Sequence, residues 1–558
     1  MNDYFDLGPH TRPVTTTSPE AQVWFDRGLM WCYAYNHEES VRCFLRALEH
    51  DPACAMAYWG IAYASGCNYN KKWEAFAPDE LIEAVVTSRR ATDDALAHLA
   101  GATSAEQALI RALDKRYQSA TPVSLPEFVA WNDAYAAAMR EVYRAFPNDL
   151  DVCALFAEAL INRTPWQLWN LKTGQPAEGA STLEAVEVLE RGLGQIDAST
   201  DSPNPGVLHM YIHTLEMSPH PEKALRVSDA LRDLCPDAGH LRHMPSHLDV
   251  LCGHYYAGVV ANSNAIAADR KYLAKEGGRN FYTLYRCHNY HFKLYCAMFL
   301  GQSRPAIEAA DALVATLPEE LLRIDSPPMA DWLEGFVPMR LHALVRFGKW
   351  QEILDAPLPA DPGLYCVTTA MLHYAKGVAH AARGRVPEAE AERALFAAAF
   401  AQVPETRYIF NNKCIDILAI AAEMLNGEVE YRKGNHDAAF AHLRKSVALD
   451  DNLPYDEPWG WMQPARHALG ALLLEQGRAA EAEPVYRSDL GLDDALSRPS
   501  QHPDNVWSLH GYVECLHTLG KHAEAAVMQP RLDLALARAD DGINASCFCR
   551  VGESCCDG

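Results

Sequence analysis

The stretch that decides the fold runs from residue 21 to residue 52: AQVWFDRGLMWCYAYNHEESVRCFLRALEHDP. Gly28 and Ser40 stand twelve residues apart in it, and both are small. The same spacing returns as Gly377 with Ala389, Gly427 with Ala439, Gly470 with Ala482 and Gly511 with Ala523. Paired small residues let two helices approach closely, and the large apolar residues between them fill the interface with the next unit. The segments VEVLERGL (186–193), EAERALFAAAF (390–400) and AAEAEPVYR (479–487) carry the 3.6-residue periodicity of half-buried helices. Strand-like alternation is almost absent, so the chain is expected to be all-α.

Trp24, Gly28, Ser40, Phe44, Ala47 and Pro52 together resemble a tetratricopeptide repeat, a pair of antiparallel helices. The resemblance covers most of residues 21–538. It implies a superhelix of roughly ten to twelve helical hairpins with a concave groove that about one full turn would partly enclose. Residues 1–20 then form an N-terminal extension and 539–558 a cysteine-rich tail. Two segments are expected to be insertions, 162–182 (NRTPWQLWNLKTGQPAEGAST) and 450–464 (DDNLPYDEPWGWMQP). Both are too rich in Pro, Gly and Trp for helix. Their tryptophans are expected to pack one repeat against another, with lids or groove plugs as the alternative. The whole chain also resembles a group of long bacterial and fungal tetratricopeptide proteins that carry a GHxxHMPSH-like segment. No activity comes with that resemblance.

Bulk composition narrows the function. The 558 residues are 49% hydrophobic and 22% charged, the balance of a globular chain. A net charge of −24 argues against nucleic acid, whose phosphates need a basic surface. No stretch of about 18 apolar residues suggests a membrane span. The opening MNDYFDLGPHTRPVTTTSPE lacks the basic start and apolar core of a signal peptide, so a cytoplasmic location is expected. Of 16 cysteines, scattered ones such as Cys32, Cys43, Cys54 and Cys153 read as small buried hydrophobes. Cys547, Cys549, Cys555 and Cys556 crowd the tail, where thiolates suit Cu(I), Zn or disulfides; the plainer reading is a frayed tail of thiols.

The chemistry lies in the histidines. GHLRHMPSHLDVLCGHYYAGV (239–259) places His240, His243 and His247 at a spacing that shares one helix face. A register set without the histidines starts repeats near Pro205, Gly239 and Cys287. In that register the resemblance implies that His209, His213 and Glu216 face the groove. So do His240, His243 and His247, then His288, His291 and Tyr295. Equivalent places in the flanking repeats add Glu158 and His342. His220, His254, His436 and His522 fall at turns or outer positions. A single histidine on a helix is usually ordinary packing; seven on one face are not.

Neutral imidazole ligates Zn, Cu, Fe and Ni. His209 and His213 can share one metal, with His243 or His247 from the neighbouring helix as a third ligand. Glu216 and Glu158 are the candidate catalytic carboxylates, as ligand, orienting group or general base. Pro245 either kinks the middle helix or begins it, and in the second case His240 and His243 are expected on a preceding loop. The NHEE stretch at His37 resembles a metalloprotease motif only superficially, because the second histidine is missing. GCNYNKKW (66–73) is expected either to face the groove mouth or to be an ordinary loop, and Asp456 with Glu457 are candidates to cap the channel. No glycine-rich phosphate loop or nucleophile elbow occurs in a suitable context, so no nucleotide cofactor is expected.

The expected function is a metal-dependent enzyme using Cu, Fe or Zn, oxidative before hydrolytic. Its substrate would be a small molecule or peptide held in the groove. One rival is a scaffold for a peptide or partner protein, the commonest use of the fold. Another is copper or zinc storage or delivery through the tail.

Overall fold

Gly28 and Gly60 face the same ring. In the computed structural model, which describes residues 4–199, 202–540 and 542–550, a Cβ at Gly28 would fall 2.6 Å from the Phe44 ring. One at Gly60 would fall 2.5 Å from it. Phe44 lies on the helix His37–His50, between Pro19–Tyr33 and Ala55–Ser65, so one aromatic plate is shared by its own hairpin and the next. Ser40 adds a hydrogen bond from Oγ to the Gly28 carbonyl at 2.6 Å. Close helix packing of this kind requires glycine on both sides of the ring.

Among the described residues the chain is all-α apart from two-residue antiparallel pairings, Trp169–Asn170 with Gln175–Pro176 and Tyr408–Ile409 with Asn412–Lys413, and an isolated bridge between Asn68 and Lys71. It divides into two units. The first comprises Met1–Leu248 and Asn264–Thr283, the second Asp249–Ser263 and Leu284–Gly558. Among the described residues no helix is long and apolar enough to cross a membrane.

In the first unit, successive hairpins lead to Leu150–Ile161 with Thr182–Asp197, and then to Pro205–Leu215. Residues 4–18, ahead of the first helix, pack onto this unit. Arg12 forks onto Asp149 at 2.8 and 3.0 Å and reaches Asp151 at 3.1 Å. Segment 162–182 holds the first short strand pair and no helix before Thr182.

Gly206 brings the helix Pro205–Leu215 against the first hairpin, because a Cβ there would meet the Tyr33 ring at 2.6 Å. Asn204 caps this helix through the Val207 amide at 3.0 Å. Next come the short helices Gly239–His243 and Pro245–Leu251, broken at Met244. Pro245 therefore begins a helix, the second of the two expectations, but His240 and His243 lie on a short helix before it and not on the loop expected there. Gly239 has its own reason. A Cβ there would strike the Asp269 carboxylate, which is bound to the Tyr282 hydroxyl at 2.9 Å, and that hydroxyl receives the His240 amide at 3.2 Å.

The second unit repeats the hairpin regularly: Cys366–Ala382 with Val386–Phe400, Cys414–Arg432 with His436–Asp450, Ala465–Glu475 with Ala479–Asp489, and Val506–Thr518 with His522–Leu536. Each internal turn carries a left-handed glycine, namely Gly384, Gly434, Gly477 and Gly520. Tyr486 is the counterpart of Phe44, filling the space against both Gly470 and Gly511. The tail is not frayed through residue 550. Phe548 lies edge-on to Trp507 at 5.9 Å, and Arg346 donates to the Ser546 carbonyl at 2.5 Å. Cys547 and Cys549 are joined as a disulfide. Cys555 and Cys556 lie outside the described residues.

Candidate metal centre

Five of the seven predicted histidines belong to the first unit, and all five are buried. His209, His213 and His243 are fully buried, His240 and His247 nearly so. Glu216 is buried with them. One ligand atom each from His209, His213 and His240 lie within 4.8 Å of one another, and the same holds for His213, Glu216 and His247. His213 is common to both sets.

The hydrogen bonds around the rings assign their protons. His209 Nδ1 lies 2.7 Å from the Tyr33 carbonyl, which only accepts, so Nδ1 carries the hydrogen. Glu216 is shared. Its Oε1 lies 2.9 Å from His213 Nδ1 and its Oε2 2.8 Å from His247 Nδ1. Ser246 donates to the His243 carbonyl at 2.7 Å, leaving its oxygen to accept from His243 Nδ1 at 3.3 Å. Four rings are thus protonated on Nδ1, and each presents a lone pair at Nε2. Those nitrogens converge: His243 and His247 Nε2 are 2.7 Å apart, His209 and His240 Nε2 3.1 Å apart. His213 Nε2 is buried with no hydrogen-bond partner. A carboxylate or carbonyl behind Nδ1, with Nε2 turned to a common centre, is the pattern by which proteins orient metal-binding histidines.

Burial keeps these rings neutral. It pushes His213 down to about 3 and holds His209 and His240 well below the ordinary histidine range, with neighbouring imidazoles adding to the effect in the latter two. Burial also lowers His247, opposed by the Glu216 carboxylate. Neutral rings in a dry interior keep their lone pairs available to a cation.

An aromatic wall surrounds the cluster. The Tyr35 ring stacks on His240 at 5.3 Å and on His213 at 5.7 Å, and His37 stacks on Tyr35 at 5.7 Å. Tyr69 and Trp166 approach His213 at 4.9 and 6.2 Å. Tyr35 and Trp166 are two of the few non-glycine residues with left-handed backbone, at φ 53° and 61°. Such conformations cost of order 1–3 kcal/mol each and gather where surrounding structure demands them. Beyond Tyr35 opens a cleft of about 460 Å³, lined by His37, Asn68, Lys71, Phe76 and Phe281 among others. Its cations already have partners: Lys71 pairs with Glu80, and Arg42 with Glu39 and Glu276.

Of the other predicted residues, Glu158 belongs to the first unit and His288 and His291 to the second. Glu158 is buried beside Arg116 at 3.8 Å and is bound by Asn162; burial raises its carboxyl, opposed by Arg116. His288 and His291 sit on the helix Thr283–Phe299, in its second-unit part. The His288 ring is edge-on to Phe410 at 4.9 Å, and His291 Nε2 lies 2.7 Å from Met462 Sδ. Tyr35 and Trp166 carried no histidine signal. Their only trace in the sequence was membership of the YNHEES stretch and of the first insertion.

No family model matches this chain, and no curated protein matches it in sequence. Among solved structures it is similar to one described as Naa15/Naa10 bound to HypK-THB, at 11% identity over 93% of this chain and 70% of that one, with a TM-score of 0.21. It is also similar to a crystal structure of Ypp1, at 11% identity over 93% of this chain and 73% of that one, again with a TM-score of 0.21.

Proposed function

We propose that the first unit is a metal-dependent enzyme module whose transition metal is held by Nε2 of His209, His213 and His240, with His243 and His247 completing or doubling the set. The observation that carries this reading is Glu216. It binds Nδ1 of both His213 and His247, so their lone pairs turn inward, and His213 Nε2 has no partner in a dry interior. A buried polar nitrogen left in this way costs about 1–3 kcal/mol unless a ligand answers it. An all-imidazole donor set suits Cu, Fe or Zn. When bound, such an ion supplies Lewis-acid or redox chemistry.

Glu216 orients two rings and raises their basicity. Glu158 serves as the counter-charge of buried Arg116. Tyr35 stands between the rings and the cleft, where a small molecule or peptide would bind, and oxidative chemistry is preferred to hydrolytic. The neutralised pairs Lys71–Glu80 and Arg42–Glu39 weigh against a scaffold that clamps peptide carboxylates, since they leave no spare cation for one. Elemental analysis of the purified protein is the test. We expect about one transition metal or more per chain, with at least one equivalent lost in the His209→Ala/His213→Ala variant. Metal-free wild-type protein that takes up no Cu, Fe or Zn on reconstitution would overturn the reading.

A further inference from the structure

The second unit contains a different donor set, built from the Trp461–Met462 pair of the WGWM segment. Met462 and His291 are fully buried, and His342 is 2% exposed. His291 Nε2 lies 2.7 Å from Met462 Sδ, much closer than an N–H···S hydrogen bond. Nδ1 of His291 and Nδ1 of His342 are both buried without a hydrogen-bond partner. Neither tautomer of His291 resolves this. A proton on Nε2 leaves a bare lone pair at Nδ1, while a proton on Nδ1 leaves an unanswered donor there and sets a lone pair against sulfur. The walls are aromatic: Phe336 is edge-on to His291 at 5.4 Å and Trp461 edge-on to His342 at 5.1 Å.

We propose that His291, Met462 and His342 form a second, soft metal site that takes Cu(I). Thioether and imidazole together select this ion among biological metals. The donors are neutral and lie in apolar surroundings, which suits a single positive charge better than two. Burial pushes both rings down to about 3, so both stay neutral. This site stands independently of the imidazole cluster of the first unit.

The test follows the methionine methyl groups. Full-length protein labelled with ¹³C at methionine methyls is titrated under argon with Cu(I) supplied as its acetonitrile complex, past saturation of the free thiols. Met462→Leu, which conserves volume, identifies the Met462 signal by its loss. We expect that signal to move in the wild type, to stay in place in His291→Gln, and to stay in place when Zn(II) replaces Cu(I). In His291→Gln the undisturbed position of the other methyl signals reports that the fold persists. A Met462 signal unmoved at saturating Cu(I), or moved equally by Zn(II), would overturn the proposal.

Discussion

Glu216 and Asp489 do the same thing in different units, with opposite outcomes for the rings they hold. Each is a buried carboxylate that bridges two imidazoles. Asp489 binds His467 Nε2 and His502 Nδ1, both at 2.9 Å, and also receives Asn505 at 3.0 Å and Ser508 at 2.6 Å. The far nitrogens of its rings are closed as well. Arg346 donates to His467 Nδ1 at 2.9 Å, and the Tyr295 hydroxyl lies 3.0 Å from His502 Nε2. Every ring nitrogen there has a matching group, so the arrangement needs nothing more. Around Glu216 the near nitrogens are equally well held, but the far nitrogen of His247 faces that of His243 at 2.7 Å, and that of His213 has no hydrogen-bond partner. A buried histidine–carboxylate pair therefore says little about function; the opposite side of the ring decides.

The comparison can be broken by experiment. Asp489→Asn puts an amide among four donors and should destabilise the fold by about 3–5 kcal/mol, read as a lower Tm, while bound metal is unchanged. Loss of metal in that variant would erase the distinction between the two carboxylates. Glu216→Gln leaves one of the two Nδ1–H groups without its acceptor, and metal affinity should fall about 10–100-fold in chelator competition. Unchanged affinity would show that the orienting bond does not matter.

The smallest effect is a slope against pH. Burial lowers the native pKa of His209, His213 and His240, so the unfolded chain binds more protons once the pH drops below about 6.5. Metal-free protein should then lose stability from pH 7 toward 5. His213→Gln should flatten that loss by up to about 1.4 kcal/mol per pH unit. Asp489 acts in a lower window. Burial pushes it up, but His467 and His502 hold it well below the carboxylate range, so its stabilisation is present above about pH 4 and is lost only in stronger acid. Identical slopes for wild type and His213→Gln between pH 7 and 5 would contradict the neutral, buried state of that ring.

Much of the fold was legible in the sequence because glycine spacing reports helix contact directly. Gly28, Gly470 and Gly511 each meet a ring in the structure, as their small size implied. The helical class followed from periodicity. The histidines of 205–247 were legible as a set because three stretches of chain carried them at helical spacing. Three things were not. Tyr33 contributes a backbone carbonyl to His209, and backbone groups leave no mark on residue identity. Tyr35 and Trp166 reach the cluster through left-handed backbone, which nothing in their composition signals. Met462 meets His291 from 171 residues away, a pairing that only the folded chain reveals. His288 and His291 were grouped with the other five by register alone, and both lie on the part of their helix that belongs to the second unit.

The shared rings of Phe44 and Tyr486 bear on how this chain can be dissected. Because each plate is completed by a glycine from the following hairpin, a fragment cut at a repeat boundary ends with an aromatic face stripped of half its seat. Excised pieces should therefore begin and end one helix beyond the apparent repeat, and single hairpins of this chain are poor candidates for study in isolation.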